Sequence, residues 1–104
     1  MIIYSVTVTI DATIEADWKS WMQRVHIPDV MATGFFQMAH LQKLLEPAPD
    51  AGLATYNLQY ECPDLATYVR YQEEAAPALQ ADHTARYKDR FVAFRTILER
   101  ETSY

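Results

Sequence analysis

Two stretches in which apolar and polar side chains alternate are the strongest constraint on the fold. They lie within residues 2–10 and 53–62. In their central parts every second residue is aromatic or aliphatic, and the residues between are Ser, Thr, Asn or Gln. A period of two predicts strands that bury one face and leave the other polar. The chain must therefore cover one side of a sheet with another layer.

Helical spacing follows the first of these strands. Apolar side chains recur at steps of three and four over residues 14–25, which predicts a helix with one apolar stripe. Pro28 lacks a backbone donor and clashes with the preceding turn, so we expect the regular helix to end near His26. Residues 28–32 are then expected to form a short extra turn, and residues 35–45 the second strand.

The second half of the chain repeats this order. After the third strand, Pro63 suits the first turn of a second helix that runs to about Ala76. Pro77 then forces a kink or a restart, and the continuation reaches about Lys88. Residues 91–99 read as the fourth strand. We therefore expect a single domain over residues 1–100 and a C-terminal tail over residues 101–104.

This order of elements predicts an α+β, ferredoxin-like βαββαβ fold with an antiparallel sheet and both helices on one face. The other face is then left open and carries short polar groups on the two central strands. These groups are Ser5, Thr7, Thr9, Thr55, Asn57 and Gln59. The outer strands offer apolar side chains to both faces. We expect the open face to pair with that of a second copy, giving a homodimeric α+β barrel around a polar-lined cavity.

Composition argues against several classes of partner. Nine Lys and Arg against fourteen Asp and Glu give a net charge of −5, and an acidic surface repels phosphate, so we expect no nucleic-acid partner. No apolar run approaches the roughly 20 residues of a membrane-spanning helix, so no membrane partner is expected. The first residues carry no basic leader, which predicts a cytoplasmic protein.

Metal and cofactor sites are not predicted. The chain has one cysteine, Cys62, and its three histidines are His26, His40 and His83. These residues are scattered, without the spacing of metal ligands. His83 is expected to pack near the fourth strand or the helix kink.

Five residues are candidates for ligand binding: Thr7, His26, Asn57, Gln59 and Arg95. His26 lies three residues before Asp29, so a carboxylate could orient its ring; the alternative is that His26 caps the end of the helix. Arg95 lies in a mostly apolar strand and must find an anion or reach water. If Arg95 shares the open face with Thr7, Asn57 and Gln59, the four residues form a polar pocket floor. The alternative is a salt bridge with Glu61 or Glu99, or one across a dimer.

Several segments resemble a known family. They are residues 4–10, 18–34 (which contain HIPDVMATG), 68–72, 76–80, 83–86 and 91–96. Together they resemble the DUF4286 family of short, uncharacterised bacterial proteins over nearly the whole chain. More loosely, the fold is similar to that of dimeric α+β barrel proteins such as antibiotic-biosynthesis monooxygenases, EthD-like proteins and haem-degrading enzymes. By analogy with the haem-degrading enzymes, the alternative for His83 is a haem ligand. A shared fold does not by itself define an activity.

Two functions remain open at this point. The first is a homodimer that binds a small organic ligand; by analogy of fold it could be a cofactor-independent oxygenase or isomerase, so enzymatic activity is undecided. The alternative is a non-enzymatic structural or regulatory dimer. A cavity of roughly 300 Å³ lined by Asn57, Gln59 and Arg95 is expected for the first. An interior filled by side chains is expected for the second.

Overall fold

The computed structural model of the chain describes residues 1–104. The strands are β1 (Ile2–Asp11), β2 (Met38–Lys43), β3 (Leu53–Cys62) and β4 (Phe91–Glu99). Between β1 and β2 lie a 3₁₀ turn (Ala12–Ile14), α1 (Glu15–Trp21), a π-helical turn (Met22–His26) and α2 (Ile27–Ala32). Between β3 and β4 lie α3 (Leu65–Glu74) and α4 (Ala76–Tyr87). None of the helices is both long and apolar enough to cross a membrane.

The sheet confirms the predicted fold class. Its strand order is β2-β3-β1-β4, and all neighbouring strands are antiparallel. The two alternating segments are the central strands β1 and β3, in a register that pairs Tyr4 with Tyr60 and Ile10 with Ala54. The chain therefore adopts the α+β ferredoxin-like arrangement, with a sheet that is not closed within one chain.

The core lies between the sheet and the helices. The apolar faces of β1 and β3 are almost fully buried, with Ile10 and Leu58 1% and 2% exposed. The helical layer contributes Trp18, Met22 and Val30, which are also 0–2% exposed. Burial of these side chains is the main favourable term in folding. It also holds the helices over one face of the sheet and leaves the other open.

The first helical segment does not end at His26, contrary to the sequence-based expectation. At the π-helical turn the N–H of Ile27 bonds to the carbonyl of Met22, five residues back. The helix then continues as α2, with Pro28 in its first turn. Proline removes one donor from the hydrogen-bond ladder and crowds the carbonyl four residues back, and the wider π-turn lies at that point of the helix. The wider π-turn thus carries the chain past Pro28 instead of ending the helix.

The second helical segment follows the expectation more closely. Asp64 caps α3 by accepting a hydrogen bond from the backbone N–H of Thr67 at 2.8 Å. The helix breaks at Ala75, and α4 restarts with Pro77 in its first turn. The predicted restart at Pro77 is therefore confirmed. The second strand is shorter than predicted, because residues 35–37 precede the ladder and Phe36 packs in the core.

Truncation of a core leucine should show that stability depends on this layer. Leu58→Ala removes a side chain that is 2% exposed, and should lower the free energy of unfolding by about 2–5 kcal/mol in urea denaturation. The matched control is Leu65→Ala, because Leu65 is 55% exposed and should change stability by about 0.5 kcal/mol or less. Equal losses in the two variants would contradict this account of the core.

Candidate functional site

A cavity of about 40 Å³ lies between the sheet and the helical layer. Its walls are mostly apolar and come from β1, β3, β4 and both helical segments. The polar side chains that line it are those of Tyr4, His26, Tyr60, Tyr71, Gln80, His83 and Arg95. No Asp or Glu side chain lines it. The volume holds a few water molecules or a small chemical group. It is well below the roughly 300 Å³ expected for a ligand-binding cavity, and neither Asn57 nor Gln59 lines it. The cavity that was expected between Asn57, Gln59 and Arg95 is therefore not present within the single chain.

His26 belongs to this cavity because the helix continues through the π-turn. Its ring stacks on Trp21 at 5.4 Å between centroids and meets the edge of His83 at 5.8 Å. Burial lowers the pKa of His26, while the nearby carboxylates of Asp29 and Asp82 raise it in part. Since the helix continues past His26, the ring does not cap a helix end, and that interpretation is wrong. The neutral ring lines the cavity instead.

His83 is held in a defined orientation by a buried hydrogen bond. Trp18 Nε1 donates to His83 Nε2 at 2.9 Å. The ring also packs edge-on against Phe91 of β4, with centroids 4.4 Å apart. The prediction that His83 packs near the fourth strand is therefore confirmed. Burial is the main cause that lowers the pKa of His83 to about 4, and the positive charge of Arg95 adds to it.

Arg95 lies on the helix side of the sheet, contrary to the expected grouping with the open face. It pairs with Val6 across the β1–β4 ladder, so its side chain leaves the same face as the core. Its Nε donates to the hydroxyl of Tyr4 at 3.1 Å. It forms no salt bridge within the chain; the buried carboxylate of Glu61 pairs with Arg100 at 2.7 Å instead. The expected pocket floor shared by Arg95 and the amides is therefore wrong.

Thr7, Asn57 and Gln59 do lie on the open face. The amide of Asn57 donates to Ser5 Oγ at 2.9 Å and to Thr7 Oγ1 at 3.2 Å. Its carbonyl accepts a hydrogen bond from Gln42 at 3.2 Å. The polar groups at the centre of this face thus satisfy one another. Of the five candidates, only His26 and Arg95 share the cavity.

Sequence reasoning missed Tyr60 as a site residue. Tyr60 is 2% exposed and lines the cavity, and its hydroxyl is fully buried without a hydrogen-bond partner. Its ring stacks on Tyr4 at 5.8 Å and tilts against Phe36 at 5.2 Å. Alternation assigned Tyr60 to the core face correctly. The hydrogen-bond partners within reach of its hydroxyl are set by side chains distant in sequence. No local sequence pattern could therefore predict that this hydroxyl lacks a partner.

The neutral His83 ring should make stability depend on pH. The unfolded chain binds a proton at His83 near pH 6.5, whereas the folded chain resists it until about pH 4. The free energy of unfolding is therefore highest above pH 6.5 and falls as the pH decreases towards 4. His83 accounts for on the order of 3 kcal/mol of this decrease. His83→Gln should flatten the dependence measured by urea denaturation across that range. His40→Gln is the control, and a full slope in His83→Gln would contradict the assignment.

Comparison with known proteins supports the fold and the family. HapK from Hahella chejuensis has a TM-score of 0.71 at 13% identity, over 100% of this chain and 97% of that one. SnoaB, a cofactor-independent oxygenase from Streptomyces nogalater, has a TM-score of 0.68 at 15% identity, over 98% and 95%. A dimeric ferredoxin-like protein from an uncultured marine organism has a TM-score of 0.67 at 12% identity, over 100% and 98%.

EthD-like proteins are also among the similar structures, as expected from the fold. At these identities the likeness shows the fold alone. A search of curated proteins finds no match. The model of the family described as "Domain of unknown function (DUF4286)" matches residues 1–101, so the chain belongs to the DUF4286 family.

Proposed function

We propose that this protein is a homodimer in which each chain binds a small organic molecule at the cavity between sheet and helices. The observation that carries the binding proposal is the position of Arg95. Its guanidinium borders the cavity and bonds to the hydroxyl of Tyr4, but no carboxylate of the chain neutralises it. Arg95 is exposed to solvent at the edge of the cavity, so water solvates its charge in the free chain. Its free N–H groups are therefore available to a polar or anionic group of a ligand.

The open face supports the dimer. Its two central strands carry polar groups that satisfy one another. The edge strand β4 exposes large apolar side chains on the same face, with Val92 69%, Phe94 62% and Leu98 46% exposed. A second copy docked on these margins would remove them from water, which favours association. The name of the similar marine protein describes it as dimeric.

Chemistry at the cavity is a second candidate, favoured by the state of His26. The ring lines the cavity, makes no hydrogen bond within the chain, and has a lowered pKa. A neutral imidazole with a free nitrogen is suited to accept a proton from a bound ligand. Oxygenase or isomerase chemistry without a cofactor would need such a base. SnoaB, which shares the fold, is described as a cofactor-independent oxygenase.

A charge placed on the open face should disrupt the dimer. Phe94→Lys puts an ammonium group where a 62% exposed ring lies, and should weaken dimerisation at least tenfold, as expected when a large aromatic contact in an interface is replaced by a charge. Sedimentation equilibrium at micromolar concentration should then change from the dimer to the monomer mass. Val69→Lys, on the exposed side of α3, is the control. Arg95→Ala should keep the dimer mass, and a monomeric wild-type chain would contradict the proposal.

Ligand binding should raise the melting temperature, because a ligand that binds only the folded chain stabilises it by roughly 2.7 kcal/mol at 100 times Kd. A panel of small aromatic and aliphatic molecules, both neutral and charged, is screened by the fluorescence of Trp18 and Trp21 during heating. Arg95→Ala should abolish the shift given by any active compound, and Arg24→Ala, an exposed arginine elsewhere, should retain it. The absence of any shift across the panel would contradict ligand binding and favour a structural dimer.

A further inference from the structure

We propose that a groove on the outside of the helical layer binds a small phosphorylated molecule through the side chains of Lys19, Arg24 and Lys43. The groove lies between the first helical segment, from α1 to the π-helical turn, and the end of the edge strand β2. Its volume is about 440 Å³, within the roughly 300–1,000 Å³ of small-molecule sites. It shares no lining residue with the cavity between sheet and helices. A ligand here would therefore be distinct from the one proposed for the cavity.

The lining of the groove is polar and mostly basic. Three of its seven residues are cations and one, Glu15, is a carboxylate, so the groove has a net charge of +2. Ser20 and Gln23 add a hydroxyl and an amide that can donate hydrogen bonds. The whole chain has a net charge of −5, so the groove reverses the charge of the molecule locally. A phosphate monoester carries about −1.5 to −2 charges at neutral pH, which matches the charge of the groove.

Lys43 is held at one wall of the groove by a network of polar contacts. Its Nζ lies 2.7 Å from Glu15 Oε2, and the hydroxyl of Tyr56 donates to the same oxygen at 2.6 Å. The ammonium group also lies 5.8 Å from the centre of the Tyr56 ring. Hydrogen bonds from Lys43 and Tyr56, together with the nearby charge of Lys19, lower the pKa of Glu15, so this carboxylate stays ionised. One cation is thus positioned before a ligand binds.

Lys19 and Arg24 have no carboxylate partner within the chain. Five of the nine Lys and Arg side chains form ion pairs with Asp or Glu, and these two do not. Both are exposed, so a ligand can reach them. The π-helical turn begins between them and winds more residues into each turn, which rotates Arg24 back towards the side of Lys19. A guanidinium can then bind two phosphate oxygens at once, and an ammonium group adds a point charge.

The groove stays accessible in the proposed homodimer. Lys43 lies opposite Tyr56 in the β2–β3 ladder, and Tyr56 belongs to the buried face of the sheet. Lys43 therefore leaves β2 on the helix side, whereas the second copy is proposed on the other face. A small ester also suits the groove better than an extended polyanion, because the net charge of the chain repels a nucleic-acid backbone.

Matched esters and alcohols test the site. Glycerol 3-phosphate, ribose 5-phosphate, glucose 6-phosphate and AMP are titrated against the wild-type protein by calorimetry, each beside its unphosphorylated alcohol. At least one ester should bind in the millimolar range or more tightly, and its alcohol at least about tenfold more weakly, because hydrogen bonds to charged groups are the stronger ones. The affinity of the ester should fall as salt is added.

Three results of these titrations would overturn the proposal. They are the absence of binding by all four esters, equal affinity of the active ester and its alcohol, and inorganic phosphate that binds as tightly as every ester. The last result would mean that the groove attracts an ion and does not recognise a small molecule.

Variants that remove one charge locate the site. Lys19→Gln and Arg24→Gln should each weaken binding of the active ester about tenfold, because each loses a charged donor. Lys88→Gln is the matched control for Lys19, since Lys88 is also exposed and without a carboxylate partner but lies outside the groove. Arg95→Gln is the control for Arg24, because Arg95 lines the cavity instead. Unchanged affinity in both site variants, or an equal loss in the controls, would overturn the proposal.

Discussion

The pairing of β1 with β3 is the interaction on which the rest of the structure depends. The two strands are joined along their whole length, from Ile2 opposite Cys62 to Asp11 opposite Leu53. This register places the apolar faces of both strands on the same side of the sheet. Exposing that apolar surface to water is unfavourable, so the helices cover it. A shift by one residue would bring the polar side chains to the helices. The register therefore decides which side of the sheet becomes the core and which becomes the open face.

Both sides of the sheet carry polar groups, but their partners differ. On the open face Asn57, Ser5 and Thr7 bond to one another, and Glu61 is neutralised by Arg100. That face needs no ligand to satisfy its polar centre. On the helix side the hydroxyl of Tyr60 has no partner. This contrast is the reason why we propose contact with a second copy at the open face and recognition of a small molecule at the cavity.

The π-helical turn links the local sequence to the site. A regular helix that stopped before Pro28 would leave His26 at a fraying end. The wider turn lets the helix continue, and His26 lies between Trp21 and His83. Turns of this kind are often found at functional sites. Here the turn brings a histidine of the first helical segment against one of the second, and so places both on the wall of the same cavity.

The sequence by itself determined the strands β1 and β3, the order of elements and hence the fold, because the period of two and the helical spacing are local signals. It also predicted that Thr7, Asn57 and Gln59 lie away from the helices. It could not decide the face of Arg95, since β4 is apolar on both sides and its alternation is weak. It also did not predict that the helix continues past Pro28, because this continuation depends on a rare π-helical turn. Only the tertiary structure brings His26 against His83, with ring centroids 5.8 Å apart, because their approach depends on contacts between helical segments far apart in the chain.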